Sequence, residues 1–309
     1  MWFRKSLIAI VMIAGIGAVP ATAEPLSLEP NAEWKLREYE DKCRISRTFG
    51  ADKDQVTLWV DQGGEAPAYN LTAIGRPMRN PYGPNIAVQF APEPEYFRAY
   101  VAAKSSKGRP VVSLFGLRLT PTMEERALLG LESELPEQAE QSETYLPGAP
   151  RAPTTISEMT PERLAAITEL RLGRALMKPI VLKTGSLTDP LAELQLCAEK
   201  VANAITRNTA LAAIPPQPTE VARWAKIIQE GYPKYLIRAG EEASVSVRLT
   251  INKTGRPSYC EVTAVEGLTS FNDTVCLLLL RHATFNPALN AEGQSLVAQY
   301  STRVTFRLN

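Results

Sequence analysis

Near the end of the chain, strand-like and helix-like patterns follow one another in an order that few folds accommodate. Apolar and polar residues alternate in 244–251, in 258–266 and again in 296–308, which is typical of half-buried strands. Lys253–Gly255 favours a tight turn between the first two strands, and Phe271–Phe285 carries apolar residues at helical spacing. The order strand, strand, helix, strand requires a sheet with one helix across it, so this region is predicted to be an α+β domain.

The preceding region, residues 24–205, is predicted to be β-rich. Apolar and polar residues alternate repeatedly between 43 and 119, and Gly and Pro residues separate the alternating runs. Helix starts follow at Thr160 and Thr188. These patterns favour an antiparallel sandwich or a barrel-like sheet with helices. The predicted fold class is therefore mixed: a β-rich N-terminal domain followed by the α+β domain.

Two polar segments mark the predicted boundaries. Residues 132–155 contain five Glu and four Pro with almost no apolar periodicity, which indicates an exposed, flexible insertion. Residues 206–220 also lose the helical pattern and contain Pro215, Pro216 and Pro218, so we interpret them as a linker. The C-terminal domain is then expected to span 221–309.

The first 23 residues resemble an export signal. Arg4 and Lys5 precede the apolar run 7–19, and the small-residue pattern Ala21-Thr22-Ala23 predicts cleavage between Ala23 and Glu24. An uncleaved inner-membrane anchor is the alternative, although the run is short for a bilayer span. No later stretch is long and apolar enough to span, so the mature protein is expected in the periplasm.

Export favours disulfides for the four cysteines, which allow three different pairings. Cys260 and Cys276 lie close together in one predicted domain and form the natural local pair. Cys197 lies beside an apolar helical stripe that would face the β core, where Cys43 could reach it. A metal site is disfavoured, because no C-x-x-C spacing exists and His282 is the only histidine.

The C-terminal pattern resembles the C-terminal domain of the TonB family. Tyr232-Pro233 precedes VSVRLTINKTGRPSYCEV (245–262), and RHATFNPALNAEGQSL (281–296) is followed by the last strand with STRVTF (301–306). Phe285, Pro287, Ala288 and Gly293 occupy the positions of the family pattern. The segment DKCRISRTFG (41–50) is also similar to domains that precede such modules in some alphaproteobacterial envelope proteins.

The resemblance implies that the last strand is an edge to which a short segment of an outer-membrane receptor, or of another envelope protein, adds as a further strand. Its polar face would be formed by Gln299, Ser301, Arg303 and Thr305, which could instead merely solvate one side of the sheet. We also consider a homodimer. Coupling to an inner-membrane motor is doubtful, because the run 7–19 lacks the Ser/His face of family anchors and no long Pro-rich spacer follows.

Other classes of protein fit the sequence less well. A formal net charge of +1 gives no attraction to nucleic acid, and the sequence contains no motif for a cofactor, a P-loop or a hydrolase nucleophile. A periplasmic hydrolase is the least favoured alternative, since His282 could act as a base but a packed or edge histidine is the simpler interpretation. The remaining alternative is a structural or ligand-binding envelope protein, with a surface formed by five aromatic residues, namely Tyr69, Tyr82, Tyr96, Phe97 and Tyr100.

Overall fold

The computed structural model describes most of the chain after residue 23. The described residues are 24–64, 68–121, 126, 159–232, 234–267 and 270–308. The predicted signal segment and the predicted insertion at 132–155 lie outside them.

Ten strands of the N-terminal region form one curled sheet. Its order is β1-β10-β9-β6-β7-β8-β5-β4-β3-β2, and every neighbouring pair is antiparallel except β1 and β10. This confirms the prediction of a β-rich N-terminal domain, and of the two arrangements expected, a sandwich or a barrel-like sheet, the single curled sheet corresponds to the second. The strands are β1 (Leu26–Leu28), β2 (Lys35–Glu38), β3 (Cys43–Phe49), β4 (Val56–Gln62), β5 (Tyr69–Gly75), β6 (Asn85–Ala91), β7 (Tyr96–Lys104), β8 (Pro110–Leu117), β9 (Glu169–Gly173) and β10 (Ile180–Lys183).

Two helices accompany this sheet, α1 (Pro161–Ala166) and α2 (Thr188–Leu211). Helix α2 contacts β2, β3 and β4. It buries one apolar face, because its apolar residues recur at helical spacing. The buried residues of this face are Leu191, Leu194, Cys197, Ala198, Val201, Ala202 and Ile205.

A disulfide joins α2 to the sheet. Cys43 on β3 is bonded to Cys197, with 6.0 Å between their Cα atoms, and it is the pair that the helical stripe predicts. On β4, Gln62 lies opposite Cys43 and donates a 2.5 Å hydrogen bond from Nε2 to Gln195 Oε1 of the helix. The covalent bond and the amide pair thus fix α2 on the same two strands.

The predicted linker begins later than expected, because α2 continues through 206–211. Thr209 Oγ1 donates to the Ile205 carbonyl oxygen within the helix, so its polar side chain is satisfied without breaking the helix. Ala210 and Leu211 are good helix formers, and the helix ends before Pro215.

The C-terminal region contains a three-stranded antiparallel sheet in the order β13-β12-β17, with one helix packed on it. This confirms the strand, strand, helix, strand prediction. The elements after α2 are β11 (Gln217–Thr219), α3 (Val221–Glu230), α4 (Lys234–Ala239), β12 (Ala243–Ile251), β13 (Pro257–Glu266), α5 (Ser270–His282), β14 (Thr284–Asn286), β15 (Ala288–Leu289), β16 (Ser295–Leu296) and β17 (Ala298–Phe306).

The core of this domain lies between the sheet and helices α3 and α5. The alternating apolar residues of β12 are at most 6% exposed, and they pack with Val275 and Leu279 of α5 and with Trp224 of α3. Tyr232 stacks on Phe306 with ring centroids 4.9 Å apart. The helix ends at His282, three residues earlier than predicted, because Thr284–Asn286 pair with β11 as a strand.

A glycine is required in the turn between β12 and β13. Gly255 has a φ of 75°, which favours glycine, and a Cβ there would lie 1.9 Å from the Phe285 carbonyl oxygen. Asn252 closes the turn, since its Oδ1 accepts from the backbone N–H groups of Thr254 and Arg256 at 3.0 Å each. The turn is therefore packed directly against β14.

The second disulfide joins β13 to α5, and its loss is expected to destabilise the C-terminal domain. Cys260 and Cys276 are bonded across a sequence separation of 16, so the chain-entropy estimate of the stabilisation is about 3 kcal/mol. Cys260→Ser should lower the free energy of unfolding by about 2–4 kcal/mol, measured by urea titration of Trp224 fluorescence. Free thiols in the denatured, unreduced protein would contradict the bond itself.

Candidate functional site

Strand β17 is an edge of the C-terminal sheet. Within the described residues it pairs only with β12, from Ala243 opposite Phe306 to Ile251 opposite Ala298. In an antiparallel pair the backbone groups of successive residues point alternately toward and away from the partner strand. Every second residue of β17 therefore presents its N–H and C=O to the outside of the sheet.

Two hydrogen bonds identify the outward-pointing residues. The Gln299 N–H donates to Thr209 Oγ1 of α2 at 2.8 Å, and the Thr305 carbonyl accepts from Gln229 Nε2 of α3 at 2.9 Å. By the two-residue period, Ser301 and Arg303 point their backbone groups the same way. No hydrogen bond from the described part of the chain reaches those groups on this side. The edge is thus capped at both ends and open in the middle.

The side chains of the same four residues share one face of the sheet. Ser301 and Arg303 are exposed, whereas Gln299 and Thr305 are half-buried. Arg303 lies 3.4 Å from Glu266 Oε1 and donates from Nε to Ser246 Oγ at 3.2 Å. This face therefore holds a cross-strand polar network in addition to the open backbone.

The N-terminal domain covers this polar face at the end where Gln299 lies. The ring of Tyr259 packs on Gly63 and Gly64, and its hydroxyl donates to the Ala68 carbonyl oxygen at 3.1 Å. Burial is the main cause that raises the pKa of Tyr259 above its ordinary value. A small cavity of about 30 Å³ between the domains is also lined by Gln299.

The contact between the domains continues along the chain that leads into β17. Val297 is buried with the N-terminal core rather than with the C-terminal one, which interrupts the alternation predicted from 296 onward. Lys253 Nζ also pairs with Glu40 Oε1 at 2.7 Å. The start of the candidate edge is therefore held by residues of the N-terminal domain.

Sequence reasoning did not identify the residues that cap the edge. Thr209 lies in the segment expected to be a linker, and Gln229 has no sequence signature. Tyr259 carried no signal of its own, but the adjacent pair Gly63-Gly64 marks a place where another part of the chain approaches closely.

His282 lies at the end of α5, as expected from the helical pattern. Burial lowers its pKa below the ordinary value, and the nearby charges of Arg281 and Arg223 act in the same direction. His282 is thus a half-buried residue at the end of the helix.

The aromatic residues considered for a ligand surface are not brought together on one surface. Tyr69 and Tyr96 are buried in the core, and burial raises the pKa of Tyr69 to about 12. Tyr100 donates to the Gly83 carbonyl oxygen at 3.0 Å, and Phe97 lies under the Arg174 guanidinium. Only Tyr82 is well exposed, at 58%.

The described residues contain neither an arrangement typical of a metal site nor a helix typical of a membrane span. No group of three or more His, Cys, Asp or Glu side chains there is arranged to hold a metal ion. Among the helices of that part of the chain, none combines the length and the hydropathy that a membrane crossing needs.

Comparison with known proteins places the C-terminal domain in a family. Residues 229–308 match the family described as Gram-negative bacterial TonB protein C-terminal. A search of curated proteins and a search of solved structures each gave no match. The match begins eight residues after the boundary expected at 221, although α3 shares the core of the matched domain. Residues 229–308 therefore match the C-terminal domain of the TonB family, and in this chain they follow a curled ten-stranded sheet.

Proposed function

We propose that this protein is a periplasmic binding protein whose C-terminal domain docks a short extended segment of an outer-membrane receptor or another envelope protein. The segment would add as a strand to the outer edge of β17. Strand addition uses backbone hydrogen bonds for affinity and alternate side chains for selectivity. A receptor as partner would give the protein a role in TonB-dependent transport.

The open centre of the edge is the observation that carries this proposal. Ser301 and Arg303 present backbone donors and acceptors that no described residue satisfies, on a strand already fixed in register by β12. An unpaired edge of this kind is a template for another strand. The exposed Arg303 guanidinium beside the edge favours an acidic or polar residue in the incoming segment.

The proposed compartment is supported by the chain itself. The pattern of residues 1–23 is typical of an export signal, and the two bonded cysteine pairs suit an oxidising environment. The TonB C-terminal family supports a place in the cell envelope.

Binding, not catalysis, is the activity we infer. The matched domain belongs to a non-enzymatic family. The outward backbone of β17 needs no cofactor to pair with a peptide.

Ser301→Pro tests strand addition directly. Proline removes the outward N–H of residue 301 but takes no hydrogen bond from the pairing with β12, so the sheet should persist. We expect binding of the receptor segment to weaken at least about tenfold, since a donor and the close approach of the new strand are both lost. The segment would first be captured in cells by a photocrosslinking residue at position 303, and its synthetic peptide measured by fluorescence anisotropy.

Ser301→Ala is the matched control, because it removes the same hydroxyl and leaves the backbone intact. Its affinity for the peptide should stay within about twofold of the native value. Equal binding by the proline variant would refute docking at this edge. Capture of only a second copy of this chain would show that the edge serves a homodimer instead.

A further inference from the structure

A cavity on the N-terminal domain gathers positive charge from three separate parts of the chain. It measures about 290 Å³ and lies beside the two short 3-10 turns Asp52–Asp54 and Arg76–Met78. Lys53, Arg76, Arg79 and Lys178 all line it, and Asp54 is the one carboxylate that does. The net charge of the lining is therefore +3, in a chain whose total is only +1.

All four basic side chains are exposed to solvent. None of them forms an ion pair or a side-chain hydrogen bond with another residue in the described ranges. Other basic residues of the same domain do, for example Arg44 with Asp61 at 2.5 Å and Arg163 with Glu93 at 2.5 Å. Grouping like charges around a concave surface is unfavourable unless an anion compensates them.

Backbone contacts fix the two turns that form part of the cavity wall. The backbone bonds Gln55 N to Asp52 O and Arg79 N to Arg76 O close the two turns. Gly75 lets the turns approach, because a Cβ there would lie 2.2 Å from the Gln55 carbonyl oxygen. The backbone that carries Lys53, Arg76 and Arg79 is thus fixed before any ligand arrives, whereas the basic side chains themselves are exposed.

The composition of the lining indicates the chemistry of the ligand. Arginine presents a planar fork of donors that matches phosphate oxygens, and lysine adds a compact charge. The volume is at the lower end of that of small-molecule sites, which run from about 300 Å³. Met177, which is 63% exposed, and Pro77 give the mouth an apolar side. That side suits an organic group attached to the anion.

We propose that this cavity binds a phosphate group with two or more negative charges, carried by a small molecule or by a lipid headgroup. The site is separate from the β17 edge and does not depend on the proposed strand addition. A nucleic acid fits less well, because the charge is concentrated in one cavity and not spread along a groove.

Calorimetry with inorganic pyrophosphate tests the site. The full chain should bind it, and the triple variant Arg76→Gln/Arg79→Gln/Lys178→Gln should bind at least about 30-fold more weakly. The control Lys104→Gln/Lys107→Gln/Arg256→Gln removes the same charge from exposed positions elsewhere and should stay within about twofold. If the triple variant unfolds, the single exposed variant Arg79→Gln replaces it, with an expected loss of about tenfold.

Vesicles of phosphatidylcholine with and without phosphatidic acid distinguish the two sources. Sedimentation only with phosphatidic acid assigns the site to a headgroup, and pyrophosphate binding without sedimentation assigns it to a soluble compound. Either result supports the site if the Arg76/Arg79/Lys178 triple variant loses the binding. The proposal would be overturned if the protein bound neither pyrophosphate nor the phosphatidic acid vesicles. It would also be overturned if the control triple variant lost as much affinity as the lining variant, or if duplex DNA bound more tightly than pyrophosphate.

Discussion

Replacing Cys43 and Cys197 together with alanine is expected to lower the free energy of unfolding of the N-terminal domain by about 5 kcal/mol. The bond closes a chain segment with a sequence separation of 154, and the chain-entropy model assigns that much to a loop of this length. Total stabilities of folded domains are only about 5–15 kcal/mol. The variant should therefore lie close to the limit of folding.

Few other polar contacts hold α2 at this end of the sheet. The pair Lys200–Glu38 is exposed, at 2.8 Å between Nζ and Oε2, and such pairs contribute under about 1 kcal/mol. The hydrogen bond between the side-chain amides of Gln62 and Gln195 adds about 1 kcal/mol. The apolar face of the helix supplies the rest.

Urea unfolding followed by the fluorescence of Trp34 and Trp59 measures this loss. The double variant Cys260→Ala/Cys276→Ala is the control, because its effect should appear in the C-terminal domain and amount to about 3 kcal/mol. If the Cys43/Cys197 double variant has the same urea midpoint of unfolding as the native protein, packing and not the disulfide fixes α2.

The sequence was informative about which residues face the core and much less so about which strands are neighbours. Alternation at 244–251 correctly predicted the buried side of β12, because a buried face requires a period of two. The parallel pairing of β1 with β10 joins residues more than 150 positions apart, as Leu26 with Ile180 does. Alternation has no information about such partners, since any half-buried strand can pair with any other.

The residues of the candidate site were predictable from the sequence, but the contacts that they make with other elements were not. The polar set on β17 followed from alternation, and the family pattern identified the strand as an edge. The caps Thr209 and Gln229 could not be predicted, because they reach the edge from helices whose position depends on the packing of both domains. An edge strand is commonly protected by a neighbouring element, so partial cover is consistent with a site that pairs only with a selected partner.

Tyr259→Ala is expected to release the N-terminal domain from the polar face of the C-terminal sheet. Loss of a buried aromatic ring typically removes about 3–5 kcal/mol, and here most of that ring contacts Gly63 and Gly64 across the domain boundary. The backbone N–H of Gln299 should then lose its hydrogen bond to Thr209 Oγ1. Its protection from hydrogen exchange should fall at least about 100-fold, while amides of β12 such as Val247 stay protected.

Tyr259→Phe separates the ring from its hydroxyl. It keeps the packing and loses only the bond to the Ala68 carbonyl oxygen, so protection of the Gln299 amide should fall less than about tenfold. If strand addition at β17 is limited by this cover, the alanine variant should also bind the receptor peptide more tightly than the native chain, and the phenylalanine variant should not. Unchanged exchange at Gln299 in the alanine variant would show that Val297 and Lys253 hold the domains together without Tyr259. If exchange at Gln299 increases but the peptide does not bind more tightly, peptide binding is limited by Gln229, the cap at the opposite end of the edge.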